Sequence, residues 1–420
     1  MQSQGIRPYP CGTVLRIAKH VQVVNTLAPF GYPRTNVILN TSFARSRLFT
    51  LLIIRSYPPS MSAVSHLSPI GISQPVPSPR KRRILYLGNP QPGQTSYYRI
   101  ASLRRLDQEV TVFDTAQTAR SAWMKRLQRR FPVGPLVAKM NQELLAALKA
   151  SRPDVVFFDK PIHHTADVIE EIRQTGAHTV NYNQDAPFGP RKDGCWHQYY
   201  KVFRLFDLHC LFREADVVRY RQWGLNYIKT MFSFEPAVQF LPSKEWSDSD
   251  RTRQVSYIGS PLEERPQFLT ELAEKRGIPI AIAGPRWNKF LSPERYARYV
   301  SHGFLAEDQY RENIWRSKIN LGFISHLNED DIGHKCVEIA ACGQFLLAVR
   351  SAGHREHFQE DREAVFFSSV DECADKARFY LDRPDLREAI GRQARERVVR
   401  SGYDNDTQLA RILNKLDGKD

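Results

Sequence analysis

Short apolar runs recur from Ile84 onward, each closed by a turn signal and followed by a stretch of helical character. Residues 84–87 (ILYL) read as a strand, and the loop 88–96 leads into a helix over about 97–106. Residues 110–113 form the next strand and 138–149 a helix, after which Pro153-Asp154 introduces a strand at 155–158. A helix over 166–175 closes at Gly176, and strands follow at 179–182, 208–212 and 227–231. Continuous apolar strands alternating with helices predict a parallel sheet covered on both faces.

The rhythm breaks over 236–253, where Pro242, Ser243 and the run Ser247-Asp248-Ser249-Asp250 read as a linker. It then restarts. A strand at 255–258, a helix at 265–276 and a strand at 278–283 ending on Gly284 are followed by strands at 319–324 and 345–349. Residues 364–367 read as an edge strand, and helices over 371–381, 385–400 and about 405–416 finish the chain. The fold class is therefore α/β, with two Rossmann-like domains, 84–240 and 241–420, facing each other across a cleft. The first is expected to serve an acceptor and the second, with its terminal helices, a donor.

Charge alters this picture only at the N-terminus. The net charge is +15, a value that invites a nucleic-acid partner. Residues 1–83 hold eleven Lys or Arg and no Asp or Glu, which leaves +4 for residues 84–420. The folded part is near neutral, and no nucleic acid is expected to bind it. The acid-free segment has the composition of a targeting or membrane-surface element. It reads more simply as an extension without a packed fold, with Met61 as an alternative start. Its apolar run at 48–54 is too short to span a bilayer. Six cysteines without a C-x-x-C pair imply neither a disulfide framework nor a zinc site, so a cytoplasmic location is expected.

Candidate chemistry gathers where strands end. Gly93, Thr95 and Ser96 lie in the loop after the first strand; the last two also suit helix capping. Arg99, one turn into the helix, reaches either the cleft or solvent. Asn183 and Asp185 follow the strand at 179–182, with Asp185 a candidate general base or sugar-hydroxyl acceptor, or simply the start of a turn before Pro187. The pair His163-His164 reads as solvated. In the second half, Gly259, Ser260 and Arg265 follow one strand, where a guanidinium suits a diphosphate. Gly284 ends another and admits close approach of a base or ribose, while Trp287 is either a stacking face or core.

The most informative stretch is 333–347 (GHKCVEIAACGQFLL): a loop, a compact helix of small residues with one acid, a glycine stop at Gly343 and an apolar strand. The bare N–H groups at such a helix start favour phosphate, with His334 and Lys335 as further donors. Glu338 can accept hydrogen bonds from a ribose. Asp330, eight residues earlier in the loop, can face the sugar, or it can cap the helix, as Asp331 can.

These residues carry a resemblance. Tyr257-Ile258-Gly259-Ser260 with Arg265, then 282–287 (IAGPRW), 317–321 (SKINL) and 337–343 (VEIAACG), resemble the CgeB-like spore-maturation glycosyltransferase family. Tyr380-Leu381, Pro384, Arg387, Ile390-Gly391 and Arg397-Val398 fit it as well, and 93–96 with Asn183 and Asp185-Ala186-Pro187 match its less specific first half. The resemblance covers about 84–416. It implies a GT-B fold and transfer of a sugar from a nucleotide-sugar donor to an unidentified acceptor, with neither metal nor cofactor. It also implies Glu338 as the ribose-binding acid and Arg265 and Lys335 as phosphate contacts. The chain departs from the related retaining transferases in carrying Asp330 for the first Glu of E-x7-E and no Lys beside Arg265. Lys335 also stands where Arg is commoner. The alternatives are a GT-B-shaped binding protein with weak or no catalysis, and a nucleotide-sugar epimerase.

Overall fold

The computed structural model describes residues 76–116, 124, 130–191, 194–305 and 307–418. The expectations for residues 1–75 lie outside the described residues. Both sheets below belong to one unit, Leu67–Asp420.

The first sheet is built from β1 (Arg83–Gly88), β2 (Glu109–Asp114), β3 (Val155–Asp159), β4 (His178–Tyr182), β5 (Leu208–Leu211) and β6 (Tyr227–Lys229). Its spatial order is β2-β1-β3-β4-β5-β6, with every pairing parallel. The second sheet holds β7 (Arg253–Ile258), β8 (Ile280–Ala283), β9 (Val300–His302), β10 (Ser317–Gly322), β11 (Leu346–Val349) and β12 (Val365–Phe367). Its order is β12-β11-β10-β7-β8-β9, again parallel throughout. The short run at 365–367 does lie at an edge. The fold class is the expected one, two α/β halves each built on a parallel sheet.

Period-two alternation explains how each strand is buried. Leu85 and Leu87 of β1 face one apolar cluster with Leu144, Leu148, Ile169 and Ile172. Ile84 and Tyr86 face a second cluster, which runs on into Val337, Ala340, Val398 and Ile412 from the other half of the chain. Both faces of the sheet are dry, which is why its central strands carry no polar alternation.

The helices are α1 (Thr95–Arg105), α2 (Pro135–Ser151), α3 (Ala166–Gln174), α4 (Tyr199–Val202), α5 (Glu214–Gln222), α6 (Arg265–Glu274), α7 (Pro293–Tyr299), α8 (Glu307–Trp315), α9 (His334–Ala341), α10 (Ala352–His357), α11 (Val370–Leu381), α12 (Pro384–Arg400) and α13 (Asn405–Leu416). Chain position and packing partner part company at α13, which follows the second sheet in sequence but lies on α1. Asp406 takes hydrogen bonds from Ser102 Oγ and from Arg105, while Gln408 Oε1 accepts from Thr230 and from the Met231 amide.

The two sheet orders locate the crevices. Strand order reverses between β1 and β3 in the first sheet and between β7 and β10 in the second. Ligands of open α/β sheets bind outside the C-terminal strand ends at such switch points. The loops that matter are therefore 89–94, 160–165, 259–264 and 323–333.

One expectation fails outright. His164 is buried, not solvated: its Nδ1 lies 3.1 Å from Asn141 Oδ1, and its ring meets Phe158 edge-on. Burial pushes its pKa down to about 3, so the ring is a neutral core group.

Candidate functional site

Glu338 sits in α9, whose small residues let the helix lie close to β10 and α12. Gly343, at φ +67°, stops it in the left-handed conformation that glycine adopts freely. Neither Asp330 nor Asp331 caps this helix; the N-cap is Gly333, with no side-chain cap. Asp331 Oδ2 instead accepts from the amide of Glu214 in the first domain.

Glu338 is 8% exposed, and its carboxylate makes a definite set of bonds. Its Oε2 accepts from Tyr310 Oη at 2.7 Å and from Lys335 Nζ at 3.0 Å. Among the described residues, the polar contact at its Oε1 is His334 Nε2 at 3.8 Å, beyond hydrogen-bond reach. Burial pushes the pKa up, but Lys335 and the Tyr310 hydrogen bond outweigh it and hold the acid below its usual range. The group is an anion with one committed oxygen and one open one. The Lys335 ammonium also lies 4.2 Å over the Tyr310 ring, which fixes it beside the acid.

His334 is partly buried, and its desolvation lowers its pKa, so the ring is neutral near pH 7. Its Nε2–H donates to the Ser233 carbonyl at 3.0 Å, and the ring stacks on Phe232. That single proton is spent across the domain boundary. On the second domain, the groups left to meet an anion here are Lys335 and the backbone N–H groups at the start of α9.

Glu338, His334, Lys335 and Tyr310 line a pocket between the two domains, together with Gly93 and Thr95 of the first domain. Its volume is about 110 Å3, small beside the roughly 300–1,000 Å3 of ligand pockets. The two domains meet closely around it. A larger groove of about 640 Å3 lies at the N-terminal ends of β1, β3 and β4, by Arg83, Asp154 and His178. It faces away from both switch points. Asp417 and Asp154 already hold two of its arginines, Arg82 and Arg83, so chemistry is better sought between the domains.

The remaining candidates fall into two other groups. Asp185 and Asp330 sit on facing loops beside a second contact between the domains. Arg213, fully buried at the start of α5, bonds Asp330 at 2.7 Å, the Gln184 carbonyl and, more distantly, Asp216. Arg219 pairs with Glu329 at 2.7 Å, and the Ala186 amide donates to Asn328. Burial lifts the Asp330 pKa to about 6 despite Arg213. Asp185 pairs with Lys160; burial raises its pKa, yet Lys160 and Arg213 bring it below the ordinary range. Asn183 is buried, its Oδ1 accepting from the Asp185 amide while its Nδ2 has no partner.

Gly259, Ser260, Gly284 and Arg265 form the other group, at the ends of β7 and β8. Gly284 has φ +146°, and a Cβ there would lie 2.1 Å from the Gly259 carbonyl oxygen. The two glycines let neighbouring strand ends touch. Trp287 is core: it is fully buried and its Nε1 donates to the Gly259 carbonyl at 2.8 Å. Arg265 is buried, donating to Tyr257 Oη and the Ile324 carbonyl, with its Nε left without a partner. Thr95 and Ser96 do not cap α1, whose N-cap is Gln94. Thr95 Oγ1 accepts from Arg99, and Ser96 packs against Gly88.

Among the pocket residues that had no place in the sequence reading are Tyr310 and Glu307 on α8, and Tyr98 on α1. Tyr98 Oη approaches Glu307 at 3.4 Å across the boundary. Tyr310 and Ile314 stand one turn apart, the signal that marks α8 as a packed helix.

Residues 264–414 match the family model described as Glycosyl transferase-like. That segment contains His334, Lys335 and Glu338. No curated protein sequence matches this chain. Among solved structures, Anabaena HepE in complex with UDP and glucose is similar over 80% of this chain and 100% of its own, at 15% identity and a TM-score of 0.55. Sucrose-phosphate synthase from Thermosynechococcus elongatus is similar over 80% and 100%, at 11% identity and a TM-score of 0.59. The E. coli trehalose-6-phosphate protein bound with UDP-2-fluoro glucose covers 80% and 98%, at 13% identity and a TM-score of 0.53. The fold is GT-B. No helix among the described residues is long and apolar enough to cross a membrane. Among them no group of three or more His, Cys, Asp or Glu side chains stands ready to hold a metal ion.

Proposed function

We propose that this protein is a glycosyltransferase that uses a nucleoside-diphosphate sugar, with UDP as the first nucleotide to test. One observation carries the reading: an ionised, buried Glu338 keeps one oxygen open to an interdomain pocket, within the segment that matches the family model. HepE was solved with UDP and glucose, which motivates the choice of nucleotide.

In this reading the donor ribose hydrogen-bonds the open Oε1 of Glu338. The diphosphate lies at the start of α9, where Lys335 and backbone N–H groups take up the charge that builds on it. Stabilising that departing charge is the largest electrostatic task in such a transfer. The bond from the sugar anomeric carbon to the phosphate oxygen breaks as the acceptor oxygen bonds that carbon. The acceptor's proton passes to Asp185, which first requires Lys160 to swing aside. Asp330 serves the sugar side of the crevice, and Asn183 with the loop 93–96 the acceptor side. Gly259, Ser260, Gly284 and Arg265 shape the donor half from behind. CgeB-like specificity, a hexose donor, a site of action in the cytoplasm and transfer without a metal ion belong to the same proposal.

A second reading, a donor-binding protein without turnover, has one observation in its favour: cations already occupy both Asp185 and Asp330. A panel of nucleotide sugars separates the two. Thermal-shift screening should single out one donor, and that donor should release free nucleotide slowly in the absence of acceptor. A stabilising donor that releases none supports the binding protein; a panel that stabilises nothing rejects both.

A further inference from the structure

Arg99 projects from α1 at the crevice of the first domain and is only 3% exposed. Three interactions fix its guanidinium. Nη2 donates to Asp159 Oδ2 at 2.6 Å and to Thr95 Oγ1 at 3.1 Å, and Nε donates to Tyr86 Oη at 3.1 Å. Tyr86 Oη in turn donates to the same Asp159 oxygen at 2.7 Å. The guanidinium carbon lies 4.6 Å from the centre of the Tyr182 ring, which stiffens the plane.

The third nitrogen, Nη1, donates to no described residue, and it is not among the buried atoms left without a partner. Arg99 is one of the residues lining the interdomain pocket, opposite His334 and Lys335. Its positive charge is felt by His334 across the boundary. The acids of the same pocket are committed elsewhere: Glu235 to Arg105 and Asn405, Glu307 to Tyr98, and Glu338 to Tyr310 and Lys335. A preorganised donor on a buried cation that lines the pocket and is bonded to none of its acids suits an incoming phosphate oxygen.

We propose that Arg99 is a donor-binding residue that grips the diphosphate from the first domain, facing the Lys335 and α9 contacts of the second. Asp159 is its positioning partner. The inference rests on the glycosyltransferase reading and adds to it a mechanical consequence: the diphosphate joins the two domains, so closure and donor binding are one event.

Removing Arg99 alone strands a buried carboxylate, so the test uses the double variant Arg99→Met/Asp159→Asn, which removes both charges together. Affinity for UDP is measured by calorimetry and affinity for uridine by ligand-observed NMR. The variant should lose about tenfold or more in UDP affinity, the worth of a charged hydrogen bond, and keep its uridine affinity. Unchanged UDP affinity overturns the proposal. Equal losses for UDP and uridine also overturn it, because the pair then only shapes the pocket. Arg99→Lys, which keeps a cation beside Asp159, guards against a folding defect: it should show a smaller loss for UDP alone at a near-native melting temperature. A wild-type chain that binds neither UDP nor uridine defeats the glycosyltransferase reading itself, a separate outcome.

Discussion

At the scale of single residues, two acids of the second domain are driven in opposite directions. Glu338 is buried, yet an ammonium and a phenol bonded to it hold it ionised. Asp330 bonds a guanidinium, yet burial wins and its pKa sits at about 6, against an ordinary 3.8. The sign of the consequence follows. Between about pH 4 and 6 the folded chain holds a proton on Asp330 that the unfolded chain has lost, so stability from this group falls as pH rises through that window. Asp330→Asn should remove that part of the pH dependence. Urea midpoints measured from pH 4 to 7 check it; the same slope in wild type and variant would mean that Asp330 titrates normally.

At the scale of elements, glycine positions show which junctions can yield. A Cβ at Gly343 would meet Leu241 Cδ2 at 2.4 Å, the far end of a side chain that can move. A Cβ at Gly284 would meet the Gly259 carbonyl, which cannot move without shifting β7. Gly343→Ala should therefore destabilise by about 1–2 kcal/mol, the ordinary penalty of a left-handed residue, and Gly284→Ala by clearly more. Chemical denaturation of the pair checks the order, and the reverse order would contradict the packing described. What the sequence disclosed divides along similar lines. Central strands such as β1 and β3 were legible because every residue between Ile84 and Leu87, and between Val155 and Phe158, is buried. The helix α8 was not, because Arg311 and Asn313 are buried beside Tyr310 and Ile314 and blur the apolar stripe. Arg311 is accommodated by the Val238 carbonyl and the Phe240 ring, partners that no local pattern reveals. The strand β9 escaped for a different reason: it is a three-residue edge strand with two exposed positions. In the candidate site, Glu338 was legible as an acid in an otherwise apolar helix. The bond from Arg213 to Asp330 was not, since 117 residues separate the partners.

At the scale of the whole molecule, two switch points face each other and the space between them is nearly shut. The chain crosses between domains through the segment after β6 and again before α13, and the crossings are tied together: the Phe234 amide donates to the Tyr403 carbonyl and the Asn405 amide to the Phe234 carbonyl. Any parting of the domains would have to stretch the Arg213–Asp330 and Arg219–Glu329 contacts. The second pair is about a quarter exposed on each side and is worth roughly 0.2–1 kcal/mol. The buried Arg213 is the stronger restraint, because losing one member of such a group leaves uncompensated charge worth about 3–5 kcal/mol.

The central claim is that the open oxygen of Glu338 holds a ribose between the domains. Calorimetric titration of wild type and Glu338→Gln with UDP and with its 2′,3′-dideoxy analogue tests it most directly. The substitution should weaken UDP by about tenfold or more and leave the dideoxy analogue unaffected, because only UDP has the hydroxyls that Glu338 receives. Equal affinities of both proteins for UDP, or an equal loss for both ligands, would contradict it.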